Sequence, residues 1–255
     1  MNPISNLEDK FSFESIDSLE KRNEALNEAL IMMEAYVKLD NSVVVLSDLA
    51  SNKSYIFAGN FGSFFDIHTS GFTIIESIWE DDIYKRIHPD DLFQRHLLEL
   101  EFFNFLKTMP PEKRLNYATK CRIRTLNAEK EYQYILHRSF YLKNSSEGGL
   151  WLAVCIYNHL FDKWTSVTGI EGKIVNTITG ENFYVDTYAN CINLLTSREK
   201  EILVLIGKGV ISKEIAAKLN ISINTVNRHR QNILEKLNVS NSIEAVRTAE
   251  ALNLL

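Results

Sequence analysis

Between Ser212 and Gln231 the chain gathers side chains suited to reading base edges and holding phosphates: Asn224, Asn227, Arg228 and Gln231, with Lys213, Thr225, His229 and Arg230 around them. Arg can bridge the O6 and N7 acceptors of guanine, while Asn and Gln match the donor and acceptor edge of adenine. At about 3.6 residues per turn, Asn224, Asn227, Arg228, Gln231 and Glu235 share one face of a helix, and Val226, Ile233 and Leu237 share the opposite face. The apolar face must look inward, which leaves the polar face for a partner. Its short polar side chains gather towards the N-terminal end, the end that a recognition helix presents to bases. His229 and Arg230 fall on the flanks, where phosphate contact is expected. Ser212, Lys213, Thr225 and the amides opening two helices complete the phosphate set. A polar helix face is most often merely solvated, so the elements around this one decide its meaning.

Those elements read as four short helices after Leu194. Thr196-Ser197-Arg198-Glu199 is a capping box that starts the first, whose buried face is Ile202, Leu203, Leu205 and Ile206, and Gly207 or Gly209 ends it. Ser212 is expected to cap the second helix, Lys213–Leu219, and Ser222 the third, Ile223–Leu237. Asn241 or Ser242 starts the fourth, in which Ile243, Val246, Ala249 and Leu252 recur at helical spacing. The second and third helices are separated by three residues. Such a turn needs a small residue at the crossing, supplied by Ala216, and a residue tolerant of left-handed geometry, supplied by Asn220. Ile215, Leu219, Ile221 and Val226 fill the wedge between them.

The whole stretch from Leu194 to Leu255 resembles the LuxR-type helix-turn-helix domain. Leu195-Thr196-Ser197-Arg198-Glu199-Lys200-Glu201-Ile202-Leu203, Ser212-Lys213-Glu214-Ile215-Ala216, Thr225-Val226-Asn227-Arg228-His229-Arg230-Gln231-Asn232-Ile233 and Lys236-Leu237-Asn238-Val239 match its motifs in order. Asn227 departs from the pattern, which commonly has Lys there and so a stronger phosphate attraction. The resemblance implies double-stranded DNA as partner.

The charge distribution agrees. The net charge of −5 hides a split: from Leu194 onward nine Lys/Arg face six Asp/Glu, a surplus of +3, while the rest of the chain carries 19 against 27, or −8. A basic module on an acidic body concentrates phosphate attraction at one end.

The first part of the chain reads as α+β, with helices on one side of an antiparallel sheet. Asp17 to Leu39 is an amphipathic helix in which Leu19, Leu26 and Met33 repeat every seven residues, a pattern that serves either its own domain or a dimer seam. Strands are expected at Val43–Leu46 and Tyr55–Ala58, short helices and loops over 60–88, and a helix from Asp91 to Thr108, capped by Asp90 or Asp91 and apolar on more than one face. Strands at Leu115–Leu126, Tyr132–Leu142 and Leu150–Tyr157 follow, then a hairpin at Lys173–Asn176 and Asn182–Val185. Around Ile87-His88-Pro89-Asp90-Asp91-Leu92 the region resembles a PAS sensor domain, without its Asp-Gly turn or its closing Asp-x-Thr. The domains expected are 1–39, an N-terminal amphipathic helix region; 40–160, PAS-like; 161–193, a linker with the hairpin; and 194–255, the helix-turn-helix.

No phosphate loop, metal-binding pair or nucleophile setting appears, so an enzyme is not expected, and neither is a metal or a defined cofactor. Isolated histidines (His68, His88, His96, His137, His159) read as structural or surface residues. Cys121 lacks the setting of a flavin-binding cysteine. Cys121, Cys155 and Cys191 are too scattered for a disulfide framework, and the start lacks a secretory pattern, so a cytoplasmic protein without a membrane partner is expected. Homodimerisation, RNA polymerase contact and a small-molecule ligand for the PAS-like domain are the other partner expectations. The alternative reading is a response regulator with a phosphorylated receiver-like domain in front.

Overall fold

In the computed structural model of the chain, residues 19–145, 149–161, 169–185, 195–237, 239, 241–251 and 254 are described. The expected helix start at Asp17, the polar turn at 146–148, much of the 161–193 segment and Leu252 lie outside them. Two compact units divide after Val185.

Val43, Val44, Val45 and Leu46 are all completely buried, which a strand achieves only when both faces of its sheet are covered. They belong to β1 (Val43–Asp48), which pairs with β2 (Lys53–Ala58) and β6 (Leu150–His159). With β3 (Phe72–Ile75), β4 (Tyr117–Leu126), β5 (Tyr132–Asn144), β7 (Lys173–Asn176) and β8 (Asn182–Tyr184) they form one eight-stranded sheet in the order β3-β2-β1-β6-β5-β4-β7-β8. Each pairing described is antiparallel. A receiver-like domain, which needs parallel strands joined by helical crossovers, is therefore overturned as the reading of this region. The hairpin expected inside a linker joins the sheet instead, because β7 continues the ladder of β4 from Tyr117↔Asn176 to Lys120↔Lys173.

Helices fill the long crossover between β2 and β4 and cover one face. A 3-10 turn (Asn60–Phe65) and a short helix α2 (Asp81–Tyr84) precede the principal helix α3 (Pro89–Lys107), and α4 (Pro111–Arg114) follows it. Phe61, Phe65, Ile83 and Leu98 bury themselves there against Val43, Val45, Ile123, Ile135 and Tyr157. The N-terminal helix α1 (Leu19–Asp40) adds a layer on the opposite face, packing Ala29, Met33 and Val37 against Val44, Leu46, Phe57, Leu152 and Val154. Met33 of the seven-residue repeat thus faces the sheet. Gly59 permits the close approach, since a Cβ there would stand 2.4 Å from the Val37 carbonyl oxygen.

The helix α3 is capped differently from expectation. His88 is its N-cap, its ring accepting the Asp90 N–H at 3.4 Å, with Pro89 in the first turn. Asp91 is taken up elsewhere: its carboxylate accepts the Arg124 backbone N–H at 2.6 Å and the Arg124 guanidinium at 2.6 and 3.0 Å. The His-Pro-Asp-Asp segment therefore locks the start of α3 onto β4.

The second unit is all helix: α5 (Ser197–Gly207), α6 (Ser212–Leu219), α7 (Ile223–Leu237) and α8 (Ser242–Ala251). Its core is Leu195, Ile202, Leu203, Ile215, Ala216, Val226, Ile233, Leu237, Ala245 and Ala249. Ile243, expected on the inner face of α8, is 69% exposed, and Ala245 occupies the core instead. Among the described residues no helix is long and apolar enough to cross a membrane.

Candidate nucleic-acid interface

The α6–α7 junction has the geometry its sequence demands. Asn220 ends α6 in the left-handed region (φ 52°, ψ 47°), and its neighbour Ile221 donates its N–H to the Ala216 carbonyl at 3.0 Å. Ser222 then caps α7, its hydroxyl accepting the Thr225 N–H at 3.1 Å, while the Thr225 hydroxyl is engaged with it at 2.8 Å. Gly209, at φ 77°, turns the chain between α5 and α6. The Thr196–Glu199 capping box is formed, and Glu199 also accepts Lys236 Nζ at 2.6 Å, tying α7 to the start of α5. Burial alone would raise the Glu199 pKa, but hydrogen bonds from Lys236 and Thr196 outweigh it and hold the carboxyl below its ordinary value. Arg198 closes the other end of α6 by donating to the Leu219 carbonyl at 2.8 Å.

The rotation of α7 follows. Val226, Ile233 and Leu237 are buried, whereas Asn224, Asn227, Arg228 and Gln231 are exposed. Gln231 donates to Glu235 at 3.1 Å on the same outward face. Lys213 is exposed at the first turn of α6, and His229 is half-buried with its Nδ1 unpartnered. Two expectations change. Ser212 is not the cap of α6: it lies inside the helix, Ile211 holds the N-cap position, and no side chain caps it. The Ser212 hydroxyl instead accepts Arg230 Nη1 at 2.9 Å, and Arg230 Nη2 donates to Ser242 Oγ at 2.9 Å. Arg230 is thus a tie between the starts of α6 and α8 as well as a flanking cation. Asn241, of the two residues expected to start α8, is the one that caps it, accepting the N–H groups of Ile243 and Glu244 at 3.1 and 3.0 Å.

The sheet unit holds a second concentration of polar groups, which the sequence did not reveal because α2, α3, β5, β6 and the residue preceding α2 all contribute to it. Arg95 of α3 is fully buried. It donates to His137 Nε2 at 3.3 Å and Tyr157 Oη at 3.3 Å, lies 3.0 Å from Glu99, and sets its guanidinium over the Tyr84 ring. Tyr157 in turn donates to Glu80. Burial raises the carboxyls of Glu80 and Glu99 and depresses His137 well below the ordinary histidine value.

Residues 193–249 match the model of the bacterial regulatory proteins, luxR family, and this segment is a LuxR-type helix-turn-helix domain. Among curated proteins the chain is similar to the oxygen regulatory protein NreC of Staphylococcus epidermidis, at 34% identity over 143 residues, 54% of this chain. It is also similar to the uncharacterized response regulatory protein YgeK of Escherichia coli, at 53% identity over 57 residues, 22% of this chain and 39% of that protein. The chain spans 65% of the length of that NreC, just under two thirds. Among solved structures it is similar to the Vibrio cholerae VqmA dimer without target DNA, at 14% identity, 88% coverage of each chain and a TM-score of 0.30. Likeness at that level assigns no ligand or partner.

Proposed function

We propose that the chain is a sequence-specific DNA-binding transcription regulator whose C-terminal domain reads the major groove through α7. The observation that carries this is the division of α7 into a buried apolar face and an exposed face of Asn224, Asn227, Arg228 and Gln231, inside a helix-turn-helix. In this reading Arg228, Asn224, Asn227 and Gln231 meet base edges, and Ser212, Lys213, Thr225, His229 and Arg230 line the phosphates. The protein works in the cytoplasm on double-stranded DNA, as a homodimer, in contact with RNA polymerase. The exposed Ile31, Met32 and Leu39 on α1 support a dimer face there, and the PAS-like unit supplies the regulatory input, a small ligand or the dimer contact itself. A binding series on matched specific and random duplexes tests the core of it. Affinity falls with salt at a slope of about −0.9 per phosphate contact as counterions are released, and the specific duplex is preferred throughout. Binding indifferent to salt, or none to any duplex, overturns the reading.

A further inference from the structure

Glu99 of α3, His137 of β5 and Cys155 of β6 bring their donor atoms within 4.8 Å of one another on the helix-covered face of the sheet. Nothing in the reading of DNA uses them. We propose that they form a binding site for a borderline-soft divalent cation of the Zn2+ class, which enters in exchange for the Arg95 guanidinium.

The donor set selects the ion. One imidazole nitrogen, one thiolate and one carboxylate suit Zn2+ or Co2+ and do not suit Mg2+ or Ca2+, which take oxygen ligands. The imidazole is already prepared. Arg95 Nε donates to His137 Nε2, so that nitrogen presents a lone pair to the cluster, while Nδ1 faces Cys121 Sγ at 3.6 Å and fixes the ring from behind. Burial, reinforced by Arg95, keeps the ring neutral, the form that ligates a metal.

The three donors are also arranged around a positive charge. The Arg95 guanidinium reaches Glu99 at 3.0 Å, Cys155 Sγ at 3.5 Å and His137 at 3.3 Å, and its side chain is 0% exposed. It has other partners to keep when it yields that place: the Glu80 carboxylate at 4.0 Å and the Tyr84 ring at 4.7 Å. Glu99 is 19% exposed, so an ion reaches the cluster from its side. The donors then draw together by about 1 Å to reach tetrahedral spacing, with a water completing the set.

Burial raises the Cys155 thiol well above its ordinary value, and the thiol ligates as the thiolate, so its proton leaves for solvent as the ion enters. Burial raises the carboxyls of Glu80 and Glu99 as well. As the input of the regulator this site rests on the function proposed above; as an ion site it does not.

The test uses the full-length chain, stripped with a chelator and titrated with Co2+. One ion binds per chain, with ligand-field bands of tetrahedral strength and a sulfur-to-cobalt charge-transfer band, and Zn2+ displaces it. Cys155→Ser abolishes the charge-transfer band, and His137→Gln weakens binding by about tenfold or more. In case either variant fails to fold, the wild-type chain is titrated in weak buffer with a pH indicator and releases protons as the ion binds. Absence of the bands in wild type, bands that persist in both folded variants, or binding without proton release each overturn the proposal. Binding to random duplex in chelator is measured alongside. Its loss would strike the DNA reading and leave the ion site standing.

Discussion

Arg228 and Arg230 are two residues apart, yet the structure gives them different work. Arg228 is exposed on the face of Asn224, Asn227 and Gln231, and makes no hydrogen bond among the contacts described. Arg228→Ala is expected to cost about 1–3 kcal/mol on the specific duplex and relax preference at one base position, with an unchanged melting temperature. Arg230 holds Ser212 and Ser242, so Arg230→Ala should weaken specific and random duplexes alike and also destabilise the helical unit by about 1 kcal/mol. Paired binding series and melting curves separate the two; an unchanged melting temperature for Arg230→Ala would remove its tie from the account. The inward placement of Val226, Ile233 and Leu237 was legible from periodicity alone, because a helix repeats its faces. The bonds of Arg230 were not, since Ser212 and Ser242 come from other helices. His137 shows the same limit more sharply. As one of several scattered histidines it reads as ordinary, and only the ladder of β4, β5 and β6 brings it beside Cys121 and Tyr157.

Elements were legible where pattern and breaker agreed. Strands β1, β2, β4, β5 and β6 and helices α3 and α5 to α8 carry clear periodicity bounded by polar turns or proline. β3 was missed because Phe72 to Ile75 is a short edge strand with no buried alternation, two of its three large apolar side chains, Phe72 and Ile74, facing solvent. The cap of α3 was misread because Asp90 and Asp91 both suit the role, and only tertiary structure supplies Arg124 as a competitor. That competition makes a prediction. Asp91 is 2% exposed and Arg124 32%, so Asp91→Ala strands a half-buried guanidinium and the Arg124 backbone donor. It should cost about 2–3 kcal/mol, somewhat less than a fully buried pair, visible as a lower melting transition of the sheet unit. The Glu199 ties predict acid sensitivity in the other unit. A carboxyl whose folded pKa lies below its ordinary 4.5 binds fewer protons folded than unfolded. Its contribution is therefore complete at neutral pH and is lost as pH falls from about 4.5 downward. Glu199→Gln should flatten that part of the stability profile, and a profile identical to wild type below pH 4.5 would show that the ties contribute nothing.

At the scale of the whole molecule, the charge split and the division after Val185 describe a chain with two separable cores. Each core is made from its own residues: the sheet unit closes over Phe65, Leu98, Phe102 and Tyr157, the helical unit over Ile202, Ile215, Val226 and Ile233. Loss of one core should therefore spare the other. Phe103 lies on α3 at 4% exposure, with Lys107 Nζ 4.6 Å from its ring centroid. Phe103→Asp removes a large buried side chain and leaves a carboxylate in its place, with Lys107 as a partner only if the chain opens towards solvent. The cost should exceed the roughly 3–5 kcal/mol of truncating such a residue to Ala, enough to unfold a marginally stable domain. The helical unit keeps its capping box, its left-handed Asn220 and its basic surplus, so the same full-length variant should still bind random duplex with the wild-type salt slope. Two melting transitions followed by circular dichroism decide it, the first lowered or lost in Phe103→Asp and the second unmoved. A fragment starting near Asn190 should reproduce the second transition and the random-duplex binding by itself. If both transitions fall together in the variant, the units stabilise each other and the charge split does not mark an independent module; if neither moves, Phe103 does not belong to the core of the sheet unit.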